Sequence, residues 1–399
     1  MISAFLGPYF FLLVPQLHII RMAPAFFLSA GVITNWRIRP SGTVVALFWF
    51  FTIYFTYTFV LSVYYLSDIG INNVVNFLVL ILFVYSLLLS VCVDPRVFLK
   101  SMRIAILIFM VSALAVAGYE EKTLDHLHLS SMLSVPKRWP ENHFPTTFFT
   151  NPNDFAGMFT FSAMFLLTYV AQQESRIKKL YGALGLLFSW LWVVSVTESR
   201  VNLICFVIFV AFYFKLWRPA AIVSLIVSGL GILAAFPNVL SWVQKRSASL
   251  LDFSFTSGES LTERLAIIQY GARSVLDSNT FGFGVGSSQK YYSEFVGKGL
   301  TGVTLDPHNY VLELLINSGL WMLILYLVIS AVIFWHMIAS NTNRLIIVQF
   351  ALYNFVLLSS SASLFLWPHY IFFIAYATYD IQHRASLASQ HSTVFEKPL

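Results

Sequence analysis

LWMLILYLVISAVIFWHM, residues Leu320 to Met337, contains no Asp, Glu, Lys or Arg. A helical crossing of the bilayer hydrocarbon takes roughly 20 apolar residues, with a lower limit of about 17. Backbone groups at that depth have no water to bond, so a run of this kind commits to helix. Immediately before it stands Asp306-Pro307-His308-Asn309-Tyr310, followed by Val311, Leu314, Leu315 and then Gly319. Asp306 suits a helix cap and Pro307 the first helical position, where a missing N–H costs nothing. Val311, Leu314 and Leu315 share one face, and Gly319 can end the segment. This reading puts His308 in the first turn of a short amphipathic helix, beside backbone N–H groups that favour anions.

Outward from this stretch the chain keeps the same character. Its 399 residues are 58% hydrophobic and 11% charged, with a mean hydropathy of +0.75. Those values exclude a soluble globular protein and predict an all-α, polytopic membrane protein as a single domain over 1–399. The apolar runs are Ala4–Ile20, Met22–Thr34, Val44–Leu66, Val74–Val93, Ile104–Tyr119, Phe155–Ala171, Tyr181–Val196, Val201–Phe214, Ala220–Phe236, Leu320–Met337, Leu345–Ser359 and Leu364–Tyr379. They predict about 12 transmembrane helices. The second run is short and broken by Pro24, so ten or eleven crossings also fit. The first run reads as a retained segment rather than a cleaved signal. Cys92 and Cys205 both lie inside apolar runs, so neither a disulfide nor a metal site is expected.

Cations in the short loops set the orientation. Thirteen Lys and Arg, among them Arg37, Arg96, Arg176, Lys178, Arg218 and Arg344, fall on one side; Arg21, Lys122, Lys137, Arg138 and Arg200 fall on the other. The first side is therefore expected in the cytoplasm with both termini. Two long loops, 120–154 and 237–319, then face outward. The net charge of +6 speaks to this topology and not to nucleic acid. No internal repeat or low-complexity tract is present.

The outer segments carry the polar chemistry. Ser260-Leu261-Thr262-Glu263 has the capping-box pattern and opens a predicted helix through about Asp277. Leu261, Leu265, Ile268, Ala272 and Val275 give that helix an apolar face that would lie on the membrane or plug the bundle, and Arg264 and Arg273 lie on it. Phe281-Gly282-Phe283-Gly284-Val285-Gly286 follows; it reads as a structural turn first and a phosphate-binding nest second. Thr197-Glu198-Ser199-Arg200 separates two apolar runs, and polar residues bounded so closely by membrane are often functional. Asn151-Pro152-Asn153-Asp154 is a turn and helix-cap sequence before the sixth run. Arginine grips phosphate through a planar bidentate fork, and neutral histidine takes a proton near pH 7. Arg200, Arg264 and His308, all at outward segment ends, suit transfer from a lipid diphosphate whose leaving group is stabilised by fixed positive charge.

With Thr150-Asn151-Pro152-Asn153-Asp154-Phe155-Ala156, Ser199-Arg200, Thr262-Glu263-Arg264-Leu265, Gly282-x-Gly284 and His308-Asn309 followed by Gly319, the chain resembles the O-antigen polymerase and O-antigen ligase superfamily of bacterial envelope glycosyltransferases. No single motif is specific; their order around one large outer loop is. The resemblance implies a metal-independent, cofactor-free transferase with an undecaprenyl-diphosphate-linked glycan as donor. By matching position, it implies that Arg200 and Arg264 hold the diphosphate with Arg273 beside them. His308 would activate the acceptor hydroxyl or contact phosphate, and Asn151, Asn153, Asp154 and Asn309 would contact substrate. It further implies the bacterial inner membrane, a site facing the periplasm or cell exterior, and a chain-length regulator and flippase as partners.

Within the superfamily, ligases show His-Asn, nine residues, Gly, two residues, then Gly, Thr or Tyr; here Met322 stands at the last position. The Asn-Pro-Asn-Asp turn looks more like the polymerases, which join lipid-linked repeat units. A ligase, which moves the glycan to lipid A-core, is the alternative. A lipid-linked oligosaccharide flippase is the third reading. Transporters tend to carry inverted repeats and midplane charges, whereas these charges stand at segment ends.

Overall fold

A computed structural model describes residues 42–65, 95–123, 152–216, 258–284, 286–298, 309–339 and 343–357, with isolated positions at 85, 88–89, 91–92 and 218. All regular elements among them are helices: α1 Gly42–Tyr64, α2 Pro95–Thr123, α3 Pro152–Ala171, α4 Arg176–Val196, α5 Arg200–Tyr213, α6 Gly258–Asp277, α7 Ser287–Ser293, α8 Tyr310–Ala339 and α9 Arg344–Leu357. Five of these, α1, α2, α3, α4 and α8, are long and apolar enough to cross a membrane, and α5 and α9 are shorter apolar helices. Together they correspond to seven of the twelve apolar runs. Ala4–Ile20, Met22–Thr34, Ala220–Phe236, Leu364–Tyr379 and most of Val74–Val93 lie outside the described residues.

Two loop boundaries differ from the sequence reading. The helix α2 continues through Glu120 to Thr123, and α3 starts at Pro152, so helix takes in both ends of the stretch read as the loop 120–154. Arg176, Lys178 and Lys179 form the first turn of α4 instead of a loop, because the Ser175 hydroxyl accepts from the Lys178 N–H at 3.4 Å and starts the helix there.

The chain divides into two compact units. One holds 106–254 and 344–356. Its centre is α3, buried from Asp154 to Thr168 on every side, as its all-round apolar sequence requires. The Trp190 indole donates to Thr160 Oγ1 at 2.8 Å, which satisfies both polar groups inside the bundle. Phe161 packs on Tyr353 with centroids 4.7 Å apart, and the Cys205 thiol points to the Leu352 carbonyl. The outer side of α4 exposes Ile177, Leu180, Tyr181 and Phe188, the pattern of a lipid-facing helix.

The other unit holds 1–105, 255–343 and 357–399. Here α8 is broken at Gly319 (φ 74, ψ −179) into a buried half, 310–318, and a largely exposed apolar half. The helix α6 packs along the buried half with the same direction. Gly271 lies against Leu312, where a Cβ would come within 2.8 Å of Leu312 Cδ2, and the Thr280 carbonyl accepts from the Leu320 N–H at 2.9 Å. Ala266, Ile267, Tyr291, Tyr292, Phe295, Leu312, Leu315 and Ile316 form the shared core.

Candidate functional site

In the first unit, Thr197 closes α4, Glu198 turns the chain through a left-handed conformation (φ 51), and Ser199 precedes α5. Arg200 is thus the first residue of α5, and it is exposed. A cation there adds to the positive end of the helix dipole, an arrangement that costs stability on its own and suits a bound anion. One turn further in, Asn202 is buried; its amide donates to Ser199 Oγ at 2.8 Å, and its Oδ1 has no hydrogen-bond partner among the described residues. Sequence reasoning passed over Asn202, whose signal was an amide one turn into an apolar run. Asn153 and Asp154 occupy the first turn of α3, Asn153 exposed and Asp154 buried; Asn151 lies outside the described residues.

In the second unit, α6 begins at Gly258, so Ser260 stands inside its first turn instead of capping it. Its end at Asp277 matches the sequence reading. Arg264 and Arg273 are nine residues apart, which at about 100° per residue places them on opposite flanks of α6. Arg273 is tied down locally. Its Nε lies 3.3 Å from Asp277 Oδ2, and its guanidinium carbon sits 5.8 Å from the centre of the Phe295 ring. The same Asp277 carboxylate accepts from Tyr291 OH at 2.7 Å. Burial, reinforced by that carboxylate, pushes the ionisation of Tyr291 upward, so it remains a hydroxyl donor.

The start of α8 corrects the expected cap. Asn309 Oδ1 accepts from the N–H groups of Val311 at 2.9 Å and Leu312 at 3.2 Å, so Asn309 is the cap and the helix begins at Tyr310. Asparagine ranks with aspartate as a cap, and here it stands nearer the apolar face. Asp306, Pro307 and His308 lie outside the described residues, with His308 next to the cap in sequence. Gly319 ends the buried half of α8, as the sequence reading expected, and the apolar half follows at once beyond the kink.

The parallel pairing of α6 with the first half of α8 sets the start of α8 beside the middle of α6. From the Gly271–Leu312 contact, Arg264 stands seven residues back on α6 and Asn309 three back on α8. At about 1.5 Å per residue the two positions are offset by only about 6 Å along the axis. Arg200, Asn153 and Asp154 belong to the other compact unit.

The glycine segment is structural. The Phe283 and Gly284 N–H groups donate to the Ile316 and Asn317 carbonyls at 2.8 and 2.9 Å. The Ser288 N–H donates to Asn317 Oδ1 at 3.3 Å, and Ser287 Oγ to the same oxygen at 3.1 Å. A phosphate nest would need several of these groups for itself. Gly282 (φ 83) fits because a Cβ would fall 2.5 Å from Gly319 N, and Gly284 (φ 97) because one would fall 2.8 Å from Ser62 Cα.

Residues 183–327 match the O-antigen ligase family, a stretch that includes Arg200, Arg264, Arg273, His308 and Asn309. The chain is similar to the teichuronic acid biosynthesis protein TuaE of Bacillus subtilis (strain 168), with 27% identity over 299 residues. That alignment covers 72% of this chain and 59% of the relative, so the chain spans less than two thirds of the relative's length.

Proposed function

We propose that the chain is a membrane polymerase of the O-antigen polymerase and O-antigen ligase superfamily, acting on undecaprenyl-diphosphate-linked oligosaccharides; the match over 183–327 and the similarity to TuaE support this reading. The acceptor hydroxyl of one lipid-linked repeat unit attacks the anomeric carbon of the donor glycan. The bond from that carbon to the diphosphate oxygen breaks, and undecaprenyl diphosphate leaves. His308 takes the hydroxyl proton, and Arg200 and Arg264 hold the charge that collects on the leaving diphosphate. Asn153, Asp154 and Asn309, with Asn151, bind sugar. The reaction takes place at the outer face of the bacterial inner membrane, with a flippase supplying repeat units and a chain-length regulator limiting the product.

The observation that carries this reading is the parallel pairing of α6 with α8, which sets the Arg264 position and the Asn309 cap about one turn apart along the axis. A cation on one helix and a capped helix start beside it suit a diphosphate near a proton acceptor at 308. The relative's name, which refers to teichuronic acid biosynthesis, favours assembly of a polymer. The ligase reading is favoured instead by the family match over 183–327.

Turnover of purified protein with lipid-linked repeat units tests the proposal. His308→Ala should lower the rate by about 10²–10⁴-fold, the usual contribution of a positioned base. His308→Gln keeps hydrogen bonding without useful basicity; near-normal rates in that variant exclude proton transfer, and near-normal rates in His308→Ala exclude the residue. A deletion strain separates the two enzymes on a lipopolysaccharide gel. Loss of a polymerase leaves core with one repeat unit, while loss of a ligase leaves bare core and accumulated lipid-linked polymer.

A further inference from the structure

The helix α6 has a second apolar side that its packing leaves uncovered. The face against α7 and the first half of α8 is made of Ala266, Ile267, Gly271, Ser274 and Ser278, all buried. Leu265, Ile268, Ala272 and Leu276 follow one another at spacings of three, four and four, which is one stripe of a helix. All four are exposed, Leu276 to 76%. They include three of the five residues read from the sequence as the apolar face; the packing surface is the other side. A helix whose outer side met water would carry charge along this stripe.

What covers the stripe follows from where α6 ends. Directly after it, the Thr280 carbonyl accepts from the Leu320 N–H, Thr280 Oγ1 from the Trp321 indole at 3.1 Å, and the Phe281 carbonyl from Tyr57 OH at 2.8 Å. The end of α6 is therefore pinned at the level where the apolar half of α8 begins. That half exposes Trp321, Ile324, Leu327 and Val328, as a lipid-facing span does, and a tryptophan at the head of a span marks the membrane–water interface. Phe281, directly after Thr280, is exposed as well. Exposed Lys290, Glu294 and Lys298 stand on and after α7, and Arg273 borders the stripe with its Asp277 partner.

We propose that α6 is a membrane-surface helix, with Leu265, Ile268, Ala272 and Leu276 sunk among the acyl chains of a phospholipid leaflet at the level of Trp321. The occupant of this face is bulk lipid, and the proposal stands independently of the transferase reading. The test uses full-length protein with Cys92→Ala and Cys205→Ala, reconstituted in vesicles of phosphatidylethanolamine and phosphatidylglycerol. Spin labels go on single cysteines at Leu265→Cys, Ile268→Cys and Leu276→Cys, with Glu294→Cys and Lys298→Cys as aqueous references.

Power saturation should give collision rates with oxygen above those with a water-soluble nickel chelate at all three stripe positions, and the reverse order at the two references. Nickel dominating at the stripe overturns the proposal, since the face is then in water. Low collision rates with both reagents also overturn it, since protein then covers the face, whether another segment or a second copy. Unmodified protein gives a second readout if the cysteine variants do not fold. A diazirine reagent dissolved in the bilayer should label the 258–277 peptide at Leu265, Ile268 or Leu276, and absence of label there alongside labelled α8 refutes the idea.

Discussion

Replacing Gly319 by alanine tests the join between α6 and α8 most directly. The residue sits at φ 74, ψ −179, a conformation essentially reserved for glycine, and holding another residue there costs of order 1–3 kcal/mol. A Cβ would also overlap the Thr280 carbonyl oxygen and lie against Phe281 backbone, neither of which is a flexible side-chain end. Relief requires the 280–284 segment to withdraw. That loses at least one of the bonds Leu320 N–H to Thr280, Phe283 N–H to Ile316 and Gly284 N–H to Asn317, each worth about 1 kcal/mol net. The sum is about 2–4 kcal/mol. Gly297 is the matched reference, because it also has positive φ (84) but a Cβ there meets nothing within 4 Å. Gly297→Ala therefore carries only conformational strain. At about 1–2 °C per kcal/mol for a chain of 399 residues, Gly319→Ala should unfold roughly 2–8 °C below wild type in detergent. An apparent Tm for Gly319→Ala equal to that of Gly297→Ala would show that the close approach of the two backbones carries no energy, and would refute the reasoning.

Arg200→Lys and Arg264→Lys keep the charge and lose the planar fork, so each should reduce turnover while protein levels stay normal; full-length polymer in both variants rules out bidentate diphosphate contact. Asn309→Ala removes the acceptor for the Val311 and Leu312 N–H groups and should cost about 1 kcal/mol, with Asn309→Asp close to wild type in a thermal melt. Reporter fusions at Gln173 and Ser288 should report cytoplasm and exterior respectively, and a cytoplasmic signal at Ser288 reverses the orientation drawn from the cation bias.

Much of the helical framework could be read directly, because a bilayer leaves so few alternatives. Runs such as Phe155–Ala171 and Val201–Phe214 differ from α3 and α5 by three residues or fewer at either end. The Ser199-Arg200 boundary emerged from its polarity alone. Errors arose where the choice was local and nearly degenerate. Asp306 and Asn309 are both good caps three residues apart, and only the position of the first buried turn separates them. The apolar stripe of α6 was legible, but not which side meets protein. Ala266, Gly271 and Ser274 make a packing face because they are small and let Leu312 approach, which an amphipathicity argument does not register. Contacts such as Gly284 with Ser62 join residues more than two hundred positions apart, and no local pattern announces them.

The bonds that hold the glycine segment to the kink run almost wholly between main-chain atoms: Phe283 to Ile316, Gly284 to Asn317 and Leu320 to Thr280. Such a fastening is indifferent to which side chains its participants carry. Phe283 and Ile316 can be exchanged for other residues that fit the core without undoing it, whereas Gly282 and Gly319 cannot accept a single methyl group. Divergence in this region is therefore channelled. Surface residues around the glycine segment are free to drift, while the two glycines act as fixed rivets that keep the altered surface in place over the kink.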